Sequence, residues 1–297
     1  MSSSERVLSF GASGSLHGVL TEPAPEDRLE GVPAVLFWNV GTNHHVGPHR
    51  VYVDLARRLA KLGFTSLRFD TSGLGDSAAS RDDTRPDAER NVADVREAMA
   101  TVKKQRGFEK FVLVGFCSSV DAAHAVGVEA PEVVGMIYLE GYQYRTRRFY
   151  LEYPRRLLER NRWERLLRLK YPDFFNEPKN LNDRSLDPET VFVRDYPTQE
   201  QLTADMRKMV KRGVRMLCMY SGGDTNYSYE RQFYDFVKAP EIAPAVELVF
   251  YPSADHTFYL VEHRERVMSG ITDWVKREFS GDGRAAPHSE PPRSVRL

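Results

Sequence analysis

The sequence predicts an α/β protein in which a mostly parallel sheet is covered by helices on both faces. Three observations carry this. Short apolar runs of strand length, such as Ala34–Trp38 and Phe111–Val114, alternate with longer segments whose apolar residues recur at helical spacing. Strands that alternate with helices in this way form parallel sheets. The alternation is interrupted once, between about Gly141 and Lys211, and then resumes.

In chain order, Arg6–Phe10 and Leu16–Thr21 read as two strands around the turn Gly11-Ala12-Ser13-Gly14. Ala34–Trp38 is a buried strand. Val51, Leu55, Leu59 and Leu62 then lie on one helical face, and Gly63 is suited to end that helix. Thr65–Phe69 is the next strand, ending at Asp70. A loop from Thr71 to Ser77 leads to a helix near Asp87–Gln105, with Val92, Val95, Met99 and Val102 on one face. The strand Phe111–Val114 and the strand Val133–Leu139 follow. The interrupting segment is aromatic, arginine-rich and helical in pattern; Pro154 suits a first helical turn, and Tyr171-Pro172 would end that helix. The strand Val214–Tyr220, a helix around Tyr229–Val237 and the strand Val246–Tyr251 come next. A final amphipathic helix carries Val267, Ile271, Trp274 and Val275. The expected organisation is one domain over 1–280, with an inserted lid at about 142–211 and a disordered Gly, Pro, Ser and Arg-rich tail over 281–297.

Composition narrows the function. The chain of 297 residues can bury a single sizeable core, and its 41% hydrophobic and 28% charged content is ordinary for a globular protein. Lys plus Arg equals Asp plus Glu at 42 each, which argues against a nucleic-acid binder. Met1–Arg6 does not open a basic and then apolar leader, and no run approaches a membrane span. With two cysteines only, the expectation is a reduced, cytoplasmic protein with free thiols.

Cys117 is the most informative residue. It sits in Gly115-Phe116-Cys117-Ser118-Ser119, after an apolar strand and before a stretch that can begin a helix, Val120–Val126. A small-residue turn between strand and helix pushes its central side chain out of the backbone. This is the nucleophile elbow of α/β hydrolases, with a thiol where serine is usual. A thiol needs a base, and the base needs an orienting acid. In this fold the chain order is nucleophile, acid, histidine. His256, between the last strand and the last helix, is the candidate base. Asp224, after Ser221-Gly222-Gly223, is the candidate acid, and Glu140, after Val133–Leu139, is the alternative. The oxyanion hole is expected from the Ser118 backbone N–H and from the N–H of Gly41 or Thr42, in the loop after Ala34–Trp38.

Other polar residues have plainer readings. Cys218, inside an apolar strand, is a small buried hydrophobe. Asp70 and Asp76 hold their own loop through backbone hydrogen bonds, and Asp255 shapes the histidine loop. His44-His45 has no carboxylate or cysteine at metal-binding spacing, so pocket lining is preferred to a metal site. No metal or redox cofactor is implied.

With these residues in view, the chain resembles the α/β-hydrolase superfamily over roughly residues 5 to 280. More finely it resembles the serine-aminopeptidase-like hydrolases, including the exosortase-A-system-associated type. The segments that carry this are Asn39-Val40-Gly41, Val46-Gly47-Pro48-His49-Arg50, Leu67-Arg68-Phe69-Asp70, Gly115-Phe116-Cys117 and Glu140-Gly141-Tyr142-Gln143-Tyr144-Arg145. The resemblance implies an α/β-hydrolase fold with a helical lid, and hydrolysis of a substrate it does not name. Dienelactone hydrolases also place cysteine at the elbow, but they keep a second glycine where this chain has Ser119, which speaks against that reading.

A thiol nucleophile turns the acyl-enzyme into a thioester. From an acyl-CoA or acyl-carrier-protein donor this exchange is close to neutral in energy, so the acyl group stays activated for an alcohol or amine. The functional expectation is therefore cleavage of an acyl ester or thioester, as an esterase or thioesterase. The alternatives are an acyltransferase using the same residues and a non-catalytic binding protein of the same fold. Between Arg145 and Lys170 ten basic residues face three acidic ones. The plain reading is a solvated helix face; the sharper one is a dock for a carrier protein, CoA or another anionic partner.

Overall fold

The structure, a computed structural model, describes residues 3–11, 14–79, 84–157, 196–224 and 226–281. Eight strands form one sheet in the order β1-β2-β4-β3-β5-β6-β7-β8. They are β1 (Ser4–Phe10), β2 (Leu16–Glu22), β3 (Ala34–Trp38), β4 (Ser66–Phe69), β5 (Phe111–Phe116), β6 (Val133–Leu139), β7 (Arg215–Ser221) and β8 (Val246–Tyr251). β1 and β2 pair antiparallel, as do β2 and β4, and every later pairing is parallel. Seven α-helices accompany them among the described residues: α1 (Val51–Lys61), α2 (Asp87–Arg106), α3 (Ser119–Glu129), α4 (Arg147–Leu157), α5 (Gln199–Lys211), α6 (Gln232–Val237) and α7 (Val261–Phe279). This is the predicted α/β-hydrolase architecture.

The central strand shows why the pattern reads as it does. Every residue of β5 is buried. Phe111 and Leu113 enter the core beneath α2, α3, α5 and α6, whereas Val112, Val114 and Phe116 enter the core beneath α1 and α7. A strand covered on both faces must be apolar at successive positions. At roughly 1.5–3 kcal/mol per fully buried side chain, these five residues anchor the strand that leads into the elbow.

The helices follow their apolar stripes. α1 buries Val51, Leu55 and Leu59, and Gly63 takes a left-handed φ of 88° just beyond its end. Leu62, expected on the helix face, is the residue that caps it. In α2, acidic residues begin the helix, basic residues end it, and Gly107 closes it in the left-handed region, all of which suit the helix dipole and backbone. α7 buries Val267, Ile271, Trp274 and Val275 as expected.

Between β6 and β7 the helix expected to start at Pro154 is already under way. α4 begins at Arg147, because the Thr146 hydroxyl accepts the Phe149 N–H at 3.1 Å and caps the helix seven residues earlier. The predicted stop at Tyr171-Pro172 lies outside the described residues, as do residues 158–170 of the basic segment and the tail 282–297. α5 is capped by Thr198, whose Oγ1 accepts from the Gln201 N–H, and it buries Leu202, Met206 and Met209 in the main core. The C-terminal part of the inserted segment is thus built into the body of the fold. No helix among the described residues is long and apolar enough to cross a membrane.

Candidate active site

The carboxyl ends of the parallel strands converge on Cys117. It lies between β5 and α3 with φ at 51°, in the left-handed region that a non-glycine side chain adopts only under constraint. Its N–H donates to Leu139 O at 2.8 Å, which fastens the turn to the end of β6. Gly115 permits the close return of the helix, since a Cβ there would lie 2.6 Å from Val120 Cα. Ser119 occupies the position of the missing second glycine. Its hydroxyl bonds back to the Phe116 backbone, donating to the carbonyl at 2.9 Å and accepting from the N–H at 2.7 Å. The serine therefore fits because the turn itself satisfies its polar group. The thiol is half-buried, in contrast to Cys218, which is fully enclosed in β7 and whose thiol burial pushes up.

His256 sits in the loop between β8 and α7. Asp255 shapes that loop as expected, accepting from the Thr257 N–H and hydroxyl and from the Tyr259 N–H. The glycine pair preceding Asp224 proves to be a packing requirement. A Cβ at Gly222 would lie 1.9 Å from Pro252 O, and one at Gly223 would lie 2.6 Å from Asp255 Cα. The loop after β7 can press against the histidine loop only because both residues lack side chains, and their N–H groups bond to Tyr251 O and Ala254 O.

This contact delivers Asp224 to His256, and the end of β6 delivers Glu140 to the same atom. Asp224 Oδ2 and Glu140 Oε2 each lie 3.3 Å from His256 Nδ1. The two acids that the sequence offered as alternatives are therefore both in place. Glu140 is 1% exposed and has φ at 52°, so a second strained non-glycine residue ends the neighbouring strand. Its carboxylate also accepts from the Ser221 N–H and, at 3.1 Å, from Gln143 Nε2. Gln143 also helps to lower the Asp224 carboxyl, so it acts on both acids. Sequence reasoning assigned it no role, because its neighbourhood to Glu140 in the chain does not signal that its amide reaches the carboxylate.

The electrostatics follow from these neighbours. Burial pulls the His256 pKa down, but the hydrogen bonds to Asp224, Cys117 and Glu140 outweigh it and the imidazole is pushed up to about 12. Burial raises the Glu140 carboxyl and would raise that of Asp224. For Asp224 the bonds from His256 and the Asn226 N–H win, and its carboxyl is lowered.

The loop after β3 closes the site. Gly41, with φ at 55°, donates its N–H to Ser118 Oγ at 2.7 Å, so this candidate oxyanion donor does face the elbow. Thr42 is exposed. Asn39 and Asp70 hold this loop beneath its surface. Asp70 accepts from Asn39 Nδ2 at 2.6 Å, from the His45 N–H at 2.7 Å, from His45 Nδ1 at 2.6 Å and from the Asp76 N–H at 3.0 Å. Gly75 is needed here, since a Cβ would overlap the Asp70 carboxylate at 2.3 Å.

Two groups of side chains meet the spacing of a metal site. One is Glu140, Asp224 and His256; the other is His44, His45, Asp70 and Asp76, whose ligand-type atoms lie within 4.8 Å of one another. The sequence showed no carboxylate partner for His44-His45, and the fold supplies two from the next strand end. Within the second group His44 Nε2 lies 3.0 Å from Asp76 Oδ2, so each ring nitrogen facing a carboxylate already has a hydrogen-bond partner. The 2.6 Å between His45 Nδ1 and Asp70 Oδ2 is also well below the roughly 3.4 Å separating two ligands of a four-coordinate ion with bonds of about 2.1 Å. The geometry is that of a loop clasp.

A cysteine at a strained strand-to-helix turn, a histidine after the last strand and acids on neighbouring strand ends make a candidate site of the α/β-hydrolase kind. The family model described as alpha/beta hydrolase family matches residues 31–269, and the chain belongs to that family. Among solved structures it is similar to an esterase of Pyrococcus furiosus, at 15% identity and a TM-score of 0.59 over 93% of this chain and 91% of that one. It is also similar to a lidless serine hydrolase of Xanthomonas campestris, at 18% identity and a TM-score of 0.52 over 92% and 95%. A third is an α/β serine hydrolase homologue of Coxiella burnetii, at 15% identity and a TM-score of 0.51 over 94% and 98%. At these identities the likeness is one of fold. No curated protein matches the chain.

Proposed function

We propose that this α/β hydrolase cleaves an acyl ester or thioester through a covalent thioester on Cys117, with His256 as base and acid. The observation that carries the reading is the placement of Cys117: it occupies the strained elbow and hydrogen-bonds His256, which two carboxylates hold from behind. The Xanthomonas and Coxiella neighbours are described as serine hydrolases, and two serines follow Cys117 directly. Both hydroxyls are engaged elsewhere, Ser118 with the Gly41 N–H and Ser119 with the Phe116 backbone. These bonds support sulfur over either hydroxyl as the nucleophile.

In the proposed reaction Cys117 Sγ attacks the acyl carbonyl, and the oxyanion takes hydrogen bonds from the backbone N–H groups of Ser118 and Gly41, displacing the Ser118 hydroxyl. His256 then protonates the leaving group. Return of the acyl group to water completes hydrolysis. Transfer to an alcohol or amine is the second reading, favoured by the thiol, because a thioester enzyme keeps its acyl group activated. The resemblance to exosortase-A-system-associated hydrolases and the docking of a carrier protein or CoA on the basic inserted segment belong to this same proposal.

Intact-protein mass spectrometry with a panel of acyl-pantetheine thioesters tests it, with Cys117→Ala as control. The expected result is an acyl adduct on the wild type alone. An adduct that water removes quickly selects hydrolysis; one that waits for an alcohol or amine selects transfer. Equal, slow alkylation of Cys117 and Cys218, with no adduct from any donor, would instead favour a binding protein.

A further inference from the structure

Nδ1 of an imidazole carries one proton, yet two carboxylate oxygens stand 3.3 Å from Nδ1 of His256. One acid suffices to orient a ring. The second is the more deeply enclosed, on a strained backbone position, and its partners are all donors: the Ser221 N–H, the Gln143 amide and His256 itself. Burial and the charge of Asp224 push the Glu140 carboxyl up, but donors on every side favour a charged carboxylate beside the ring. The other groups facing the ring are Cys117 from the elbow and Asp255 from its own loop, whose carboxylate is turned to Thr257 and Tyr259. His49 reaches the same loop through Thr257 at 3.4 Å. None of these opposes a positive ring.

We propose that Glu140 is a second working carboxylate of the site: together with Asp224 it holds His256 as an imidazolium and, through that ring, Cys117 as a thiolate in the resting enzyme. Glu140 is a positioning residue in this account, since it acts only through His256. The upward push on the imidazole described above agrees with this. The inference rests on the nucleophile assignment proposed for Cys117.

The consequence is an asymmetry between the two half-reactions. In acylation the thiolate forms a bond to the carbonyl carbon and the π pair moves to oxygen. When that pair returns, the bond to the leaving group breaks, and the leaving group takes the imidazolium proton. The acyl-enzyme then holds a neutral imidazole beside two carboxylates, which draw a proton back from solvent. Water can be activated only by the neutral ring. Hydrolysis of the acyl-enzyme is therefore held back at neutral pH, and the thioester accumulates.

The test compares wild type, Glu140→Gln and Asp224→Asn. Glutamine keeps the size and the acceptor for the Ser221 N–H but removes the charge. The rate of Cys117 alkylation by iodoacetamide is followed against pH, alongside the decay of the acyl adduct. Wild type should show its inflection well below the about 8.5 of an ordinary thiol. Glu140→Gln should raise that inflection by about one unit, slowing alkylation about tenfold on its acid side, and should speed loss of the adduct to water at pH 7. Opposite changes in the two rates are what a merely structural Glu140 would not produce. An unchanged inflection in Glu140→Gln overturns the proposal. If that variant does not fold, 15N chemical shifts of the histidine rings in the wild type decide, with His256→Gln giving the assignment. An imidazolium at pH 8 supports the proposal and a neutral ring overturns it. Acyl cleavage persisting in Cys117→Ala would refute the nucleophile assignment separately, leaving the alkylation profile to report on Glu140.

Discussion

Two histidine–carboxylate pairs stand at the carboxyl edge of the same sheet, and they are built differently. His45 is buried against Asp70 at 2.6 Å, and Asp70 has no exposed surface. Each oxygen of that carboxylate is already taken by the backbone or by a side chain of the loops it joins. His256 is 35% exposed, stands 3.3 Å from each of two acids and turns toward a thiol. The first arrangement leaves nothing free to react and fixes a loop. The second leaves a ring that can give up a proton, and it concentrates negative charge behind it. A histidine beside an aspartate is thus architecture or chemistry according to what else satisfies the pair.

Changes at the two corners should separate these roles. The largest effect is expected at Cys117. Alanine there should remove the acyl adduct and lower turnover by at least about 10³-fold. Cys117→Ser should be nearly as inactive, because an imidazolium cannot accept the hydroxyl proton; turnover near wild type from Cys117→Ser would show that His256 rests neutral. His256→Gln should lower turnover by roughly 10²–10⁴-fold and return Cys117 alkylation toward an inflection at about 8.5.

At the other corner, Asp70→Asn should act on stability. The loss expected in urea unfolding is roughly 3 kcal/mol, with the pH inflection of Cys117 alkylation unmoved; a displaced inflection would mean the clasp tunes the site. The effect has a defined pH window. Burial would raise the Asp70 carboxyl, but the bonds from His45 and the Asp76 N–H lower it. A lowered carboxyl stabilises the fold above its unfolded value and loses that contribution as pH falls through the folded one. The gap between wild type and Asp70→Asn should therefore shrink below about pH 4. The smallest effect is expected from Cys218→Ala, at about 1 kcal/mol for the small void. Turnover should not change, and wild-type labelling at that thiol should be far slower than at Cys117.

Much of the site was legible because its signals are local. A glycine two residues before Cys117, an apolar run before it and small residues after it prescribe a strand, a tight turn and a helix. That prescription depends on neighbours a few positions away. The position of His256 after the last strand follows from counting elements. Asp224 was legible through its glycine pair, though the reason differs: Gly222 and Gly223 are small so that two loops can touch. The choice between Asp224 and Glu140 was not legible, and the structure places both acids. Chain order constrains which strand end an acid leaves from and says nothing of how many acids reach one nitrogen. The same limit hid the carboxylates near His44-His45, since Asp70 and Asp76 arrive from the end of another strand.

The sequence by itself determined the alternation of elements and the elbow with cysteine at its tip, because helical and strand periodicity and turn chemistry are properties of short segments. Only the tertiary structure decided which side chains share a proton. Glu140 and His256 are 116 residues apart and Gly41 and Ser118 are 77 apart. They meet because the strand order β4-β3-β5-β6-β7-β8 lines up loops distant in the chain along one edge of the sheet. That order is set by how the two cores pack above and below the strands, and no local pattern encodes it.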